Sequence, residues 1–204
     1  FAASGPARAA LWALIKGATV RIGTLDDIPD IPGVIALEDV TIANMGPSIL
    51  TRFLDVYDGG ALPSLRLVYT AGEPFPRTLL ERFFAAVPSG VAITNGYGLS
   101  ETGPVCNFHM RAMPDFHGDL VPIGVPVADT RVLLIDEELQ PVGDGDIGQI
   151  AVFSPGTAFG YWKRPELTAE RFVNDPETGE RMCLSGDLGR LLDDGNLLHL
   201  GQHL

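Results

Sequence analysis

The chain has 204 residues, 46% hydrophobic and 20% charged, with 24 glycines and 16 prolines, which is globular composition and enough for one large domain or two small ones. A net charge of −12 with no Lys/Arg cluster argues against a nucleic-acid or anionic-membrane surface. No apolar run reaches the length of a membrane span, and Cys106, Cys183 and the 4 scattered histidines have neither disulfide-framework nor metal-ligand spacing. With no signal peptide in view and both thiols read as reduced, a cytoplasmic location is expected. A start at Phe1 on an Ala/Gly-rich segment and a stop at Leu204 after a strand-like run read as a piece of a longer polypeptide.

In chain order, "ARAALWALIK" (7–16) is rich in helix formers and ends at Gly17, a C-cap choice. "ATVRI" (18–22) predicts a short strand, and "VIALEDVTIANM" (34–45) a helix end followed by a strand. "SILTRFLDVY" (48–57) has helical apolar spacing with Ser48 as N-cap. "LRLVYTAG" (65–72) is a strand that breaks at Gly72. "PRTLLERFFAAVP" (76–88) predicts an amphipathic helix, with Leu79, Leu80, Phe83 and Phe84 on one face and Arg77, Glu81 and Arg82 on the other. "VAITNGYG" (91–98) returns to strand and breaks into a glycine loop. The alternation predicts an α/β layered subdomain with a mostly parallel sheet over residues 1–115.

The second half reads differently. "TRVLLID" (130–136), "GQIAVFS" (148–154) and "NLLHLG" (196–201) predict short strands, and "GDGDIG" (143–148) and "DDGN" (193–196) have hairpin-turn chemistry. "RPELTAERF" (164–172) predicts one helix, with Pro165 suited to its first turn. Residues 121–204 are therefore expected to form an antiparallel, barrel-like β subdomain, joined to the first by a connector over 111–122.

Three stretches could carry chemistry. In "TNGYGLSETG" (94–103), Gly96 and Gly98 allow close backbone approach, and Tyr97 between them can lay its ring on a planar ligand. Glu101 offers the hard oxygen that Mg²⁺ prefers, and Ser100 or Thr102 a hydroxyl for a phosphate. "TAGEP" (70–74) also ends a strand before a helix, where ligands bind in open α/β sheets. In "LSGDLGRLLDDG" (184–195), Asp187 follows a turn glycine and can accept from both hydroxyls of a ribose. Taken singly, each is equally readable as an ordinary turn.

Together and in this order, "NGYGLSET", "GDIGQIAVFSPGTAFGYWKRPELTAERF" and "RMCLSGDLGRLLDDGNLLHLGQ" resemble the motifs of adenylation domains of nonribosomal peptide synthetases and of the wider adenylate-forming enzymes, which include acyl-CoA and aryl-CoA ligases and firefly luciferase. The matches run from about residue 11 to the end. The resemblance implies an adenine platform at Tyr97 with Asn95, Gly96 and Gly98 at the base, and Gly72, Glu73 and Pro74 on the other side. It implies a magnesium ligand at Glu101, a phosphate contact at Ser100 and a ribose carboxylate at Asp187, with Ser100 and Glu101 as the catalytic residues. Asn44, Tyr69, Ala71, Gly96, Pro104 and Val105 fall where the family lines its acyl pocket.

The implied parent reaction uses ATP and Mg²⁺ to turn a carboxylic acid into an acyl-adenylate. The acceptor is a carrier-protein phosphopantetheine thiol or coenzyme A. By family order the phosphate loop falls upstream of Phe1 and the C-terminal lid with its lysine downstream of Leu204, so the 204 residues alone are expected not to turn over. Gln202 stands where the family has arginine, Leu204 where it has a hinge aspartate or lysine, and Phe159 replaces another arginine. No acid stands where the family holds an α-ammonium; Ala2 or Ser4 occupies that register, and the first acid is Asp26. The expected substrate therefore lacks an α-amino group, since a buried ammonium without a carboxylate is costly. A free-standing acyl- or aryl-CoA ligase and a degenerate non-catalytic interaction module are the alternatives.

Overall fold

The computed structural model describes residues 4–202; Ala2 and Leu204, on which two expectations fell, lie outside the described residues. The chain forms two compact units. One runs to Asn95 and includes His109–Val121; the other holds Gly96–Phe108 and the chain from Pro122 onward. The chain passes between them within two strands, after Asn95 and after Phe108, and again after Val121 at the end of the 111–122 segment.

In the first unit, α1 (Ser4–Ile15) ends in a Schellman cap: Gly17 takes φ +77, its N–H donates to the Leu14 carbonyl, and the Ala18 N–H donates to the Ala13 carbonyl. The strand expected over 18–22 is absent. Those residues are irregular, and Arg21 instead binds both oxygens of Asp27 at 2.6 and 2.8 Å. A β-branched run becomes a strand only where a partner edge faces it. A 3-10 turn (Leu25–Asp30) and α2 (Ile31–Leu37) lead to β1 (Ile42–Asn44), α3 (Pro47–Val56), β2 (Leu67–Ala71), α4 (Arg77–Ala86) and the start of β3 (Ala92–Leu99). β1 and β2 are parallel, with Asn44 opposite Tyr69, and β3 follows in the sheet. Leu50 and Phe53 of α3, Leu80 and Phe83 of α4, and Val68 of β2 are wholly buried, each such side chain contributing about 2 kcal/mol. The 111–122 segment has almost no regular structure but packs firmly. Phe116 and Val121 are buried, and the Arg77 guanidinium donates to the Phe116 carbonyl.

Helix α3 does not start on Ser48. Gly46 is the N-cap, Pro47 takes the first turn, and the cap oxygen comes from Glu73. The Ser48 N–H donates to Glu73 Oε2 at 3.1 Å and the Ser48 hydroxyl to Oε1 at 2.8 Å. A Cβ on Gly46 would lie 2.8 Å from the same carboxylate, so glycine leaves room for it.

In the second unit, the end of β3 is followed by β4 (Gly103–Met110) and β5 (Val125–Pro126), neighbours in that order. β6 (Arg131–Ile135), β7 (Ile147–Phe153), β9 (Arg181–Leu191) and β10 (Leu197–Gln202) form an antiparallel sheet in the order β10-β9-β7-β6. The short β8 (Phe172–Asn174), directly after α5 (Pro165–Arg171), pairs with β9. The antiparallel character is as expected, but the sheet is open: among the described residues its edges β10 and β6 do not meet. Closing a barrel takes more strands and a consistent shear. Strand β7 is buried on both faces, which explains its unbroken apolar run. Ile150 and Val152 join Val105, Cys106, Ile123 and Leu197 in one cluster; Ala151 and Phe153 join Ile135 and Met182 in the other.

Glu73→Ala removes the cap of α3 and is expected to lower unfolding stability by about 1 kcal/mol, the usual cost of a lost N-cap. Chemical denaturation checks this, and Glu73→Gln, which keeps an acceptor oxygen, recovers most of the loss.

Candidate functional site

Strand β3 does not stop at the glycines. It runs through Asn95, Gly96, Tyr97 and Gly98 to Leu99, and a short turn over 100–102 leads into β4. Gly98 is required by that closeness, since a Cβ there would lie 2.6 Å from the Gly103 carbonyl oxygen. Tyr97 is thus held on a rigid strand, half-buried against the Val105–Cys106 cluster.

Asp187 likewise lies inside a strand and not after a reverse turn. Along β9, Leu184 pairs with Ala151 and Leu188 with Gln149, so the ladder slips between them. Gly186 sits in that bulge at φ +75, where a Cβ would lie 2.4 Å from the Arg171 guanidinium. A bulge re-aims the side chain that follows it, and here it turns Asp187 to Tyr97. The Tyr97 phenol donates to Asp187 Oδ2 at 2.6 Å, and His199 Nε2 lies 3.6 Å from Oδ1. The His199 ring packs on the Tyr97 ring with centroids 5.6 Å apart. The Asp187 N–H donates to the Ser185 hydroxyl at 2.9 Å. Burial works against ionisation of Asp187, but the contacts from His199 and Tyr97 outweigh it and hold the carboxyl below the usual carboxylate range. Burial, and then the bond to Asp187, pushes the Tyr97 phenol far up, so it remains a donor.

Glu101 lies in the 100–102 turn beside the exposed Ser100. The Tyr161 phenol donates to Glu101 Oε1 at 2.5 Å, and the Ala158 N–H donates to the Glu101 carbonyl at 2.7 Å. Burial and the Glu101 bond push Tyr161 up to about 12. Among the described residues no three His, Cys, Asp or Glu side chains converge on one point. The Glu101 carboxylate offers the hard oxygen that would suit Mg²⁺, a cation that keeps several waters and phosphate oxygens in its shell.

Within the first unit, Asn44, Tyr69 and Ala71 gather at the C-terminal ends of β1 and β2, and burial pushes the Tyr69 phenol up. Gly72 follows at φ +87, with Glu73 and Pro74 exposed beyond it. The Glu73 carboxylate is committed to Ser48, which leaves the main chain of this loop for any ligand. Asn95 is buried and its amide donates to the Val121 carbonyl at 3.3 Å. In the second unit, Pro104 is exposed on β4 and Val105 is wholly buried in the cluster beneath it.

Sequence reasoning assigned no role to Tyr161 or His199. Both stand in the recognised motifs, but only folding brings them to Glu101 and Asp187, 60 residues away in the first case. Gln202 pairs directly opposite Asp187 across β10 and β9, so the departure from arginine falls beside the carboxylate. Phe159 is 97% exposed. Cys106 and Cys183 are buried free thiols, pushed up by burial to about 12 and about 11, which makes them unreactive packing residues.

The family described as AMP-binding enzyme matches residues 5–162. Over 199 residues the chain is 40% identical to phosphinothricin tripeptide synthetase PhsB of Streptomyces viridochromogenes, covering 94% of this chain and 16% of that protein. It is 32% identical over 202 residues to gramicidin S synthase 1 of Brevibacillus brevis, covering 95% of this chain and 18% of that one. Among solved structures, the nonribosomal peptide synthetase FmoA3 in its AMPPNP-bound form superposes with a TM-score of 0.77 at 35% identity, over 85% of this chain and 19% of that one. CmiS6 superposes with a TM-score of 0.82 at 27% identity, over 93% and 48%. The chain thus spans under a fifth of these synthetases and about half of CmiS6; it belongs to the AMP-binding enzyme family and is similar to the adenylation domains of nonribosomal peptide synthetases.

Proposed function

We propose that the protein carrying this chain activates a carboxylic acid with Mg·ATP and passes the acyl group to a carrier-protein phosphopantetheine thiol. The carboxylate oxygen attacks the α-phosphorus, the bond to the β-phosphate oxygen breaks, and pyrophosphate leaves. The thiolate then attacks the acyl carbon and AMP leaves. The observation that supports this most is the Tyr97–Asp187 pair, an aromatic face and an ionised carboxylate locked side by side, as a base and its ribose require. The AMPPNP-bound FmoA3 structure supports ATP as the nucleotide.

In this reading Tyr97 carries the adenine, Asp187 accepts from the ribose hydroxyls, and Ser100 faces a phosphate. Glu101 holds Mg²⁺, which supplies charge neutralisation on the phosphates when bound. Gly72, Glu73 and Pro74 contribute main-chain groups. Catalysis is then mainly positioning and charge stabilisation. Asn44, Tyr69 and Ala71, with Gly96, Pro104 and Val105, belong to the acyl side. The register where the family holds an α-ammonium carries Ala2 or Ser4, neither of them charged, which supports an acid without an α-amino group, of the kind seen in the Klebsiella oxytoca NpsA complex with 3-hydroxybenzoyl-AMSN. An amino-acid substrate is the second reading, favoured by the α-methyl-L-serine-AMP bound to FmoA3. The location that fits two buried free thiols is the cytoplasm.

Hydroxamate-trapped adenylation by the complete protein across a panel of acids tests both readings; turnover of several L-amino acids sinks the first. In the same assay Asp187→Ala is expected to raise the KM for ATP roughly 10- to 100-fold, the worth of one or two hydrogen bonds to a charged group. The isolated 204-residue chain is expected to show no pyrophosphate exchange above a Glu101→Ala control. The pH dependence of AMP affinity follows from the lowered carboxyl of Asp187. Its carboxyl is held below the ordinary value of 3.8, so its contribution to affinity should be flat from pH 8 to about 5. Stability from the same group is lost only as pH falls through the folded-state value, below 3.8. Calorimetric titration reads the first and acid denaturation the second.

A further inference from the structure

We infer that Tyr161 is a positioning residue for Glu101, its phenol occupying one carboxylate oxygen so that the other is presented in a single orientation to the cation. The inference rests on the Mg·ATP reading above. Glutamate is a poor rigid ligand by itself, because ordering its rotamers costs side-chain entropy, and Mg²⁺ demands near-ideal geometry. The structure removes that freedom in advance. Tyr161 Oη to Glu101 Oε1 is 2.5 Å, and the Ala158 N–H fixes the Glu101 main chain at 2.7 Å.

Tyr161 is itself anchored. Its N–H donates to Thr168 Oγ1 at 2.9 Å, the Thr168 hydroxyl donates to the Arg164 carbonyl at 2.8 Å, and its ring packs on Phe172 at 5.5 Å. The preceding Gly160 sits at φ +148, where a Cβ would fall 2.4 Å from Thr168 Cγ2. Only glycine lets the loop come this close to α5. On the other flank a Cβ on Gly156 would lie 2.7 Å from the Thr102 carbonyl oxygen. The loop over 154–161 therefore grips the 100–102 turn by main chain and side chain at once. A carboxylate has about four lone-pair sites, so the phenol leaves acceptor capacity on Oε2.

The test is Mn²⁺ binding by the complete protein with ATP, read by electron paramagnetic resonance, beside AMP affinity in the absence of metal. Tyr161→Phe is expected to weaken Mn²⁺ binding about 10-fold, the usual cost of losing a partner that orients a metal ligand. AMP affinity and melting temperature should stay at wild-type level. Thr168→Val, which loosens Tyr161 without removing it, should shift Mn²⁺ affinity in the same direction by less, and stands in if Tyr161→Phe misfolds. Unchanged or tighter Mn²⁺ binding in Tyr161→Phe overturns the inference, as does an equal loss of AMP affinity, which marks a general structural role. If Glu101→Gln leaves Mn²⁺ binding at wild-type strength, the metal-ligand reading falls and the inference with it.

Discussion

The hydrogen bond from the Tyr97 phenol to the Asp187 carboxylate joins residues 90 positions apart, and the organisation of the second unit follows from what is needed to make it. One partner stands on β3, in the sheet that continues through β4 and β5; the other stands on β9, in the antiparallel sheet. Beneath the bond lies one apolar cluster drawn from both sheets: Val105 and Cys106 on one side, Ile150, Val152 and Leu197 on the other. Burial of that cluster brings the sheets together without specifying register. The bond is directional, and it requires the β9 bulge, with Gly186 in a left-handed conformation beside Arg171. A regular strand would send the carboxylate elsewhere.

Glu101 is held by a different device. Tyr97 and Asp187 stand on strands, whereas Glu101 stands on a turn and needs a second loop to restrain it. That loop reaches it through glycines at positions 156 and 160, where any side chain would collide with its support. Glycine therefore serves close approach at both elements, and a long aromatic hydroxyl completes each: Tyr97 to Asp187, Tyr161 to Glu101. Both phenols are shifted upward, so both remain hydrogen-bond donors to their carboxylates.

The departures from the family pattern acquire locations. Gln202 stands directly across the ladder from Asp187, where an arginine would add a positive charge next to the carboxylate; His199, three residues earlier across a register shift, is the basic group present there instead. Phe159 projects into solvent from the loop that grips Glu101, while its carbonyl accepts from Arg181 at 2.9 Å. The contact at 159 is thus made by the main chain and not by the side chain.

The amino-acid sequence by itself determined the class of the protein. Helical and alternating apolar periodicities, Gly17, Pro165 and the hairpin turn at 193–196 are local signals, and they read correctly because caps, turns and periodicity are set within a few residues. Motif order supplied the family and pointed to Tyr97, Glu101 and Asp187 as the residues proposed for the site. Contacts between distant segments decided the rest. Residues 18–22 lack a partner strand, α3 starts on a carboxylate 25 residues away, and "SGDLG" is a bulge and not a turn. Tyr161 and His199 became part of the site only through folding. A hydrogen bond across 60 or 90 residues leaves no periodic trace in the chain, because its partners are chosen by the shape of the packed sheets and not by their neighbours in sequence.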